Sequence, residues 1–154
     1  MLERAVSLGE AFLKPTRVIL HCSDTPDKGD RFDIEDVRRW HVEENGWSDI
    51  GYHWFIKRDG LLQSGRPPDQ MGAHCKGEND DSIGICYSGT AKPTGQQVKT
   101  LLALYAHLWE THGIDWRNWF GHYEFNQYKS CPGISMVVFR NLLRLQHGIL
   151  QEKK

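Results

Sequence analysis

Long apolar runs are missing from this chain of 154 residues, and none approaches the roughly 18 needed to read as a membrane-spanning helix. Net charge is nearly missing too. Nineteen Lys and Arg against 20 Asp and Glu leave −1, so no net basic field draws the chain to nucleic acid or to anionic lipid. Cysteine is sparse, with Cys22, Cys75, Cys86 and Cys131 forming no CxxC pair, which excludes a dense disulfide framework. Four cysteines still permit two bridges by count, but free thiols in a reducing cytoplasm are the expectation. A secretory leader is not expected either: "MLERAVSLGEAFLKPT" sets Glu3 and Arg4 at its start and Glu10 in its middle, with no sustained apolar centre. Repeats, low-complexity tracts and linker-like Pro/Gly/Ser stretches are absent as well. What remains is an ordinary globular composition, 39% hydrophobic and 25% charged, of a length that fills one domain with a real core.

The elements are readable in outline. "TRVILHCS" (16–23) is a short apolar run before the turn-prone "DTPDKGD", a buried strand ending near His21. "DIEDVRRWHVEENG" (33–46) reads as a helix with Asp33 as N-cap, Ile34, Val37 and His41 on one face, and Gly46 at its end in the left-handed conformation. "GYHWFIKRDGLLQSGR" (51–66) reads as a hairpin in which Tyr52, Trp54 and Ile56 alternate with His53, Phe55 and Lys57, and Asp59-Gly60 supplies the positive φ angles of its turn. "DSIGICYSG" (81–89) is a second buried strand. "TGQQVKTLLALYAHLWETHG" (94–113) is the strongest helix, with a Thr94/Gln97 capping box, a stripe of Val98, Leu101, Leu102, Tyr105 and Leu108, and Gly113 as terminator. A last helix from about Ser135 carries Val138, Leu142 and Leu145 on one stripe. Trp40, Trp54 and Trp109 lie on periodic faces and read as core. The whole predicts an α/β fold, a single-domain mixed central sheet flanked by helices.

Eight histidines are many for this length. His21 opens a loop after a strand, His122 sits in "FGHYEF" past the long helix, and Cys131 follows nine positions on in "YKSCPG". Loops beside strand ends are where α/β sheets present reactive groups. Two His and one Cys can serve a catalytic zinc, which takes three protein ligands and leaves a fourth position for water. No HExxH is present, however. On spacing alone His21 and His122 read as ordinary hydrogen-bonded histidines and Cys131 as core, Tyr52 as a core or rim aromatic, and Lys129 as a solvated charge. Cys22 adjoins His21 on a strand, so it points to the opposite face and packs. Cys75 and Cys86 read as packing, and His41, His53, His107, His112 and His147 as structural.

Four stretches in fixed order change that balance: "HCSDTP" (21–26), "VRRWHVEENGWSDIGYHWFIKRDGLLQSGR" (37–66), "GAHCKGENDDSIGIC" (72–86) and "GHYEFNQYKSCPG" (121–133). Together they resemble the zinc-dependent N-acetylmuramoyl-L-alanine amidases, most closely the short single-domain forms that phages use as endolysins; animal peptidoglycan recognition proteins share that fold. The resemblance runs from about Val18 to Pro132 and implies a catalytic domain over 1–154, with residues 1–15 as an N-terminal extension and 16–148 as core. It implies one zinc ion per chain held by His21, His122 and Cys131, with Tyr52 and Lys129 serving catalysis beside the metal. It further implies that His74 and Asn79, in "GAHCKGEN", contact the muramoyl-peptide.

The implied reaction is hydrolysis of the amide between N-acetylmuramic acid and L-alanine in peptidoglycan. Zinc suits it, because it brings the pKa of a bound water to about 7. Lys129 can stabilise the oxyanion as it forms, and Tyr52 can orient the water or help move its proton. A monomeric endolysin is expected, made in the cytoplasm and reaching the wall after the membrane is breached, with peptidoglycan as its partner and no nucleic acid or membrane insertion. Other readings remain: a non-catalytic peptidoglycan-binding module, a bacterial amidase recycling wall fragments, and a metal-free hydrolase using Cys131 as nucleophile and His122 as base.

Overall fold

A computed structural model describes residues 12–27, 31–90 and 92–154. Most of the expected N-terminal extension and the end of the turn-prone "DTPDKGD" lie outside the described residues. The described end of the extension is docked: Leu13 is buried, and its N–H donates to the Asp69 carbonyl at 2.6 Å.

A five-stranded sheet forms the centre, in the order β3-β2-β4-β1-β5. Strand β1 (Arg17–Cys22) lies between β4 (Ser82–Tyr87) and β5 (Trp119–Gly121), parallel to both. Strand β2 (Trp54–Ile56) is parallel to β4 and antiparallel to β3 (Leu62–Ser64), so the sheet is mixed, as expected. Strands β1 and β4 are covered on both faces, which is why β1 reads as a continuous apolar run, whereas β4 reads as alternating Ile83, Ile85 and Tyr87 because Gly84 and Cys86 stand between them. β5 was not expected; three residues before a loop give no periodicity to read.

On one face, Val18, Leu20, Trp54, Ile56, Ile83, Ile85 and Tyr87 pack against helices α2 (Gly95–His112) and α3 (Met136–Glu152). On the other, Phe55 and Cys86 meet Ile34 and Val37 of α1 (Ile34–Arg39). Asp33 caps α1 and Gly46 ends the segment at φ 72°, as read from sequence, but Trp40–Glu44 between them is π-helical, its wider turn closed by the Asn45 N–H on the Trp40 carbonyl at 3.1 Å. In the hairpin only Gly60 takes a positive φ, 89°; Asp59 instead accepts the Leu61 N–H through its side chain at 2.9 Å.

Two expected stripes are displaced. In α2 the buried face is Gln97, Leu101, Leu104, Tyr105 and Leu108, with Val98 and Leu102 half-buried at its edge. The cause is Gln97. Besides closing the capping box with Thr94, its Nε2 donates to the carbonyls of Ile56 and Ser88 at 3.2 and 2.9 Å, drawing the start of the helix onto the ends of β2 and β4. In α3 the stripe read from sequence faces water: Val138 and Leu145 are 68% and 63% exposed, and the buried residues are Met136, Phe139 and Leu143. Both sets have helical spacing, so periodicity cannot choose between them.

Candidate metal centre and cleft

Alternation along β1 sends Val18 and Leu20 toward α2 and α3 and leaves His21 on the opposite face, level with Cys86. β5 ends at Gly121, so His122 emerges beside the last residues of β1, its ring 4.7 Å from that of His21. The following loop returns to put Cys131 over the end of β1. The Tyr123 N–H donates to the Cys131 carbonyl at 2.8 Å, the Cys22 N–H points at the Cys131 sulfur at 3.1 Å, and the Cys131–Pro132 peptide is cis. The structure thus brings together His21, His122 and Cys131, whose ligand atoms all lie within 4.8 Å of one another. Among the described residues they are the one His/Cys/Asp/Glu cluster able to hold a metal ion.

The donor set fits a zinc-type ion, with two imidazoles and a thiol converging from three separate segments. Burial and the nearby His74 hold His21 well below its ordinary pKa, and burial and the Lys129 ammonium lower His122. Both imidazoles are therefore kept neutral, with a lone pair to offer. Cys22 packs on the α2–α3 side as alternation requires, yet it also shares a thiol hydrogen bond with Cys131 that lowers its own pKa and raises that of Cys131.

A cleft of about 600 Å³ opens beside this centre, with His41, Trp47, Lys76 and Phe125 among its walls. Tyr52 and Lys129 border both the cleft and the hollow around Cys131. The Tyr52 ring stands 5.2 Å from His21, and burial together with the sulfurs of Cys86 and Cys131 pushes its phenol well above its ordinary pKa. Tyr52 lies just before β2, not in it, and packs with Phe55 rather than with Trp54, so strict alternation fails there.

His74 and Asn79 also line the cleft, but much of their bonding capacity is spent inside the protein. His74 Nδ1 lies 3.0 Å from His21 Nε2, and its Nε2 lies 3.2 Å from Ser82 Oγ. Asn79 Oδ1 accepts the N–H groups of His74 and Cys75, both at 3.0 Å. Gly84 is required here, since a Cβ on it would come within 2.5 Å of the His74 ring. His41, read as structural, is in the wall as well. Its Nδ1 accepts the Gly51 N–H at 2.9 Å, and its ring stands 4.5 Å from Trp47 and 5.4 Å from Tyr52. Its place near the end of the predicted helix, in "WHVEENGW", was the available signal.

A mixed sheet of this order carries a His/His/Cys cluster able to hold a metal ion beside an open cleft, and comparison with known proteins gives the family. Residues 11–134 match the family model described as N-acetylmuramoyl-L-alanine amidase, and the chain belongs to that family. It is 42% identical over 74 residues to the endolysin of Klebsiella phage KP32, a match spanning 48% of each chain, so it covers about half the length of that relative. Among solved structures it is similar to the endolysin N-acetylmuramoyl-L-alanine amidase LysCS of Clostridium intestinale, at 27% identity and a TM-score of 0.76, covering 86% of this chain and 85% of that one. It also resembles peptidoglycan recognition protein-LE, solved with tracheal cytotoxin, a monomeric diaminopimelic acid-type peptidoglycan, at 28% identity and a TM-score of 0.68, covering 79% and 75%. Among the described residues no helix is long and apolar enough to cross a membrane.

Proposed function

We propose that this protein is a zinc-dependent amidase of the phage-endolysin kind, cleaving the bond between N-acetylmuramic acid and L-alanine in peptidoglycan. The observation that carries the reading is the convergence of His21, His122 and Cys131 within 4.8 Å at the edge of an open cleft of about 600 Å³. The named relatives support the substrate. So does the charge of the cleft, whose described walls include Lys76 and Lys129 and no Asp or Glu, matching the carboxylates of a stem peptide.

His21, His122 and Cys131 would hold one zinc ion, which supplies Lewis acidity toward water and the amide carbonyl. Lys129 Nζ offers a positive charge where the carbonyl oxygen becomes anionic, a term largest in the transition state. Tyr52, kept as a phenol by burial, has a proton on Oη with which to orient the attacking water or follow it to the leaving amine. His41 and Trp47 shape the cleft and take part in the placing of Tyr52.

Digestion of purified peptidoglycan followed by end-group analysis tests the reading. New L-alanine amino termini without new reducing sugars are expected, with activity lost to a chelator and restored by zinc. New reducing sugars would sink the proposal. Activity indifferent to chelator but lost on alkylation would indicate a Cys131 thiol hydrolase.

A further inference from the structure

The loop from His74 to Ser82 settles the direction of a short chain of hydrogen bonds that ends on a metal ligand. Ser82 is fully buried, and its Oγ lies 2.5 Å from the Glu78 carbonyl, which can only accept. A hydroxyl has one proton, and that proton is committed to Glu78. Toward His74 Nε2, 3.2 Å away, Ser82 Oγ must therefore act as acceptor, and Nε2 carries the imidazole's hydrogen. His74 is 9% exposed and pairs with no carboxylate among the described residues, so it is neutral and has one N–H only. Its Nδ1 is then a bare acceptor facing His21 Nε2 at 3.0 Å. His21 Nε2 must donate, which leaves His21 Nδ1 as the nitrogen with a free lone pair.

We infer that His74 and Ser82 are positioning residues of the metal centre: the Glu78 carbonyl, through Ser82 and His74, fixes His21 as the Nε2–H tautomer and presents Nδ1 to the ion. This rests on the reading of His21 as a zinc ligand. The supporting structure is built around the chain. Asn79 pins the His74 backbone, Gly84 leaves room for the ring, and Arg17 holds Glu78 at 2.5 Å and Asp81 at 2.7 Å, anchoring the loop to β1. Partners of this kind typically set metal affinity by 10- to 100-fold when removed, about the effect expected here. It also gives the histidine of "GAHCKGEN" a task that does not require it to touch substrate.

The test is zinc affinity by competition with a chromophoric chelator, alongside nitrogen-15 NMR of the histidine rings in the zinc-loaded protein. His74→Leu should bind zinc roughly 10- to 100-fold more weakly than wild type. His74→Asn, whose Oδ1 can stand where Nδ1 stood and accept from His21, should recover affinity to within a few-fold; a merely space-filling role would favour Leu instead. In the wild type the spectrum should show the proton of His21 on Nε2 and that of His74 on Nε2. Unchanged affinity in His74→Leu, or a proton on His21 Nδ1, overturns the inference while leaving the zinc site standing. Failure of the wild type itself to bind zinc overturns the site and the inference together.

Discussion

Lys129 is exposed on the loop between β5 and α3, yet its ammonium lies near enough to His122 to lower that imidazole's pKa. That position beside His21, His122 and Cys131, the proposed metal ligands, is what separates it from the other lysines. Lys129→Ala should lower kcat by roughly 10²–10³ with KM little changed, and zinc content should survive because Lys129 is no ligand. Lys129→Arg should rescue poorly, since a planar guanidinium does not replace a compact ammonium. Lys99, exposed on α2, serves as the control in steady-state assays. A rise in KM alone would move Lys129 from catalysis to binding. At Cys131, the Ala variant should lose zinc and activity together, and Cys131→Asp should keep part of both because carboxylate is a legitimate zinc ligand; metal analysis of the purified variants decides it. The grouping of His21, His122 and Cys131 beside Tyr52 and Lys129 was legible in the sequence because the order of the four motifs points to those positions. The role of Ser82 was not, because a serine at the start of a strand carries no sign of which proton it accepts. The same holds for Gln97, whose amide bonds two carbonyls remote in sequence.

At the level of elements, α3 shows where periodicity stops being informative. Its sequence contains two apolar stripes of equal spacing, and only the position of the helix against β5 and α2 decides that Met136, Phe139 and Leu143 are the buried one. β1, β4 and the caps of α1 and α2 were legible for the opposite reason, since a buried parallel run and a capping box are local signals. The α3 assignment is checked by paired truncations. Leu143→Ala should cost roughly 2–5 kcal/mol of unfolding free energy, as cavity formation in a core does, whereas Leu145→Ala should stay within about 0.5 kcal/mol. Equal losses in chemical denaturation would restore the stripe read from sequence. In α2, Gln97→Leu should cost more than Thr94→Ala. The latter removes a cap worth about 1 kcal/mol, while the former removes the reciprocal arm of that capping box and one hydrogen bond to each of two carbonyls, about 1 kcal/mol apiece, the Ile56 carbonyl keeping the Ser88 N–H.

For the whole molecule, the histidines on the α1 face of the sheet tie stability to pH. His53 is buried, and its pKa is lowered chiefly by that burial; its Nε2 donates to the Gln70 carbonyl at 2.7 Å and its Nδ1 accepts the Gly84 N–H at 2.9 Å, so the neutral ring is already satisfied. His74 is lowered from 6.5 to about 3, again by burial first and by the neighbouring His53 second. In the unfolded chain both titrate near 6.5. Below that pH the unfolded state binds protons that the folded state refuses, so stability must fall as pH drops through 6.5, and for His74 the fall continues to about 3. Between pH 7 and 5 the His74 contribution alone amounts to about 2 kcal/mol, with His53 acting in the same direction. Asp27, whose pKa is lowered by the Thr90 side-chain and backbone hydrogen bonds, also favours the folded state, but its share is lost only under 3.8, outside this window. The measurement is the urea midpoint of zinc-free protein at pH 7.5, 6 and 5. It should decline steeply once pH passes below 6.5, and His74→Asn, which removes one of several rings whose pKa burial lowers (His21, His53 and His122 remain), should show a shallower slope. A midpoint unchanged down to pH 5 would mean that these rings accept protons in the folded state, and that the face of the sheet carrying the metal centre is open to water rather than sealed around neutral imidazoles.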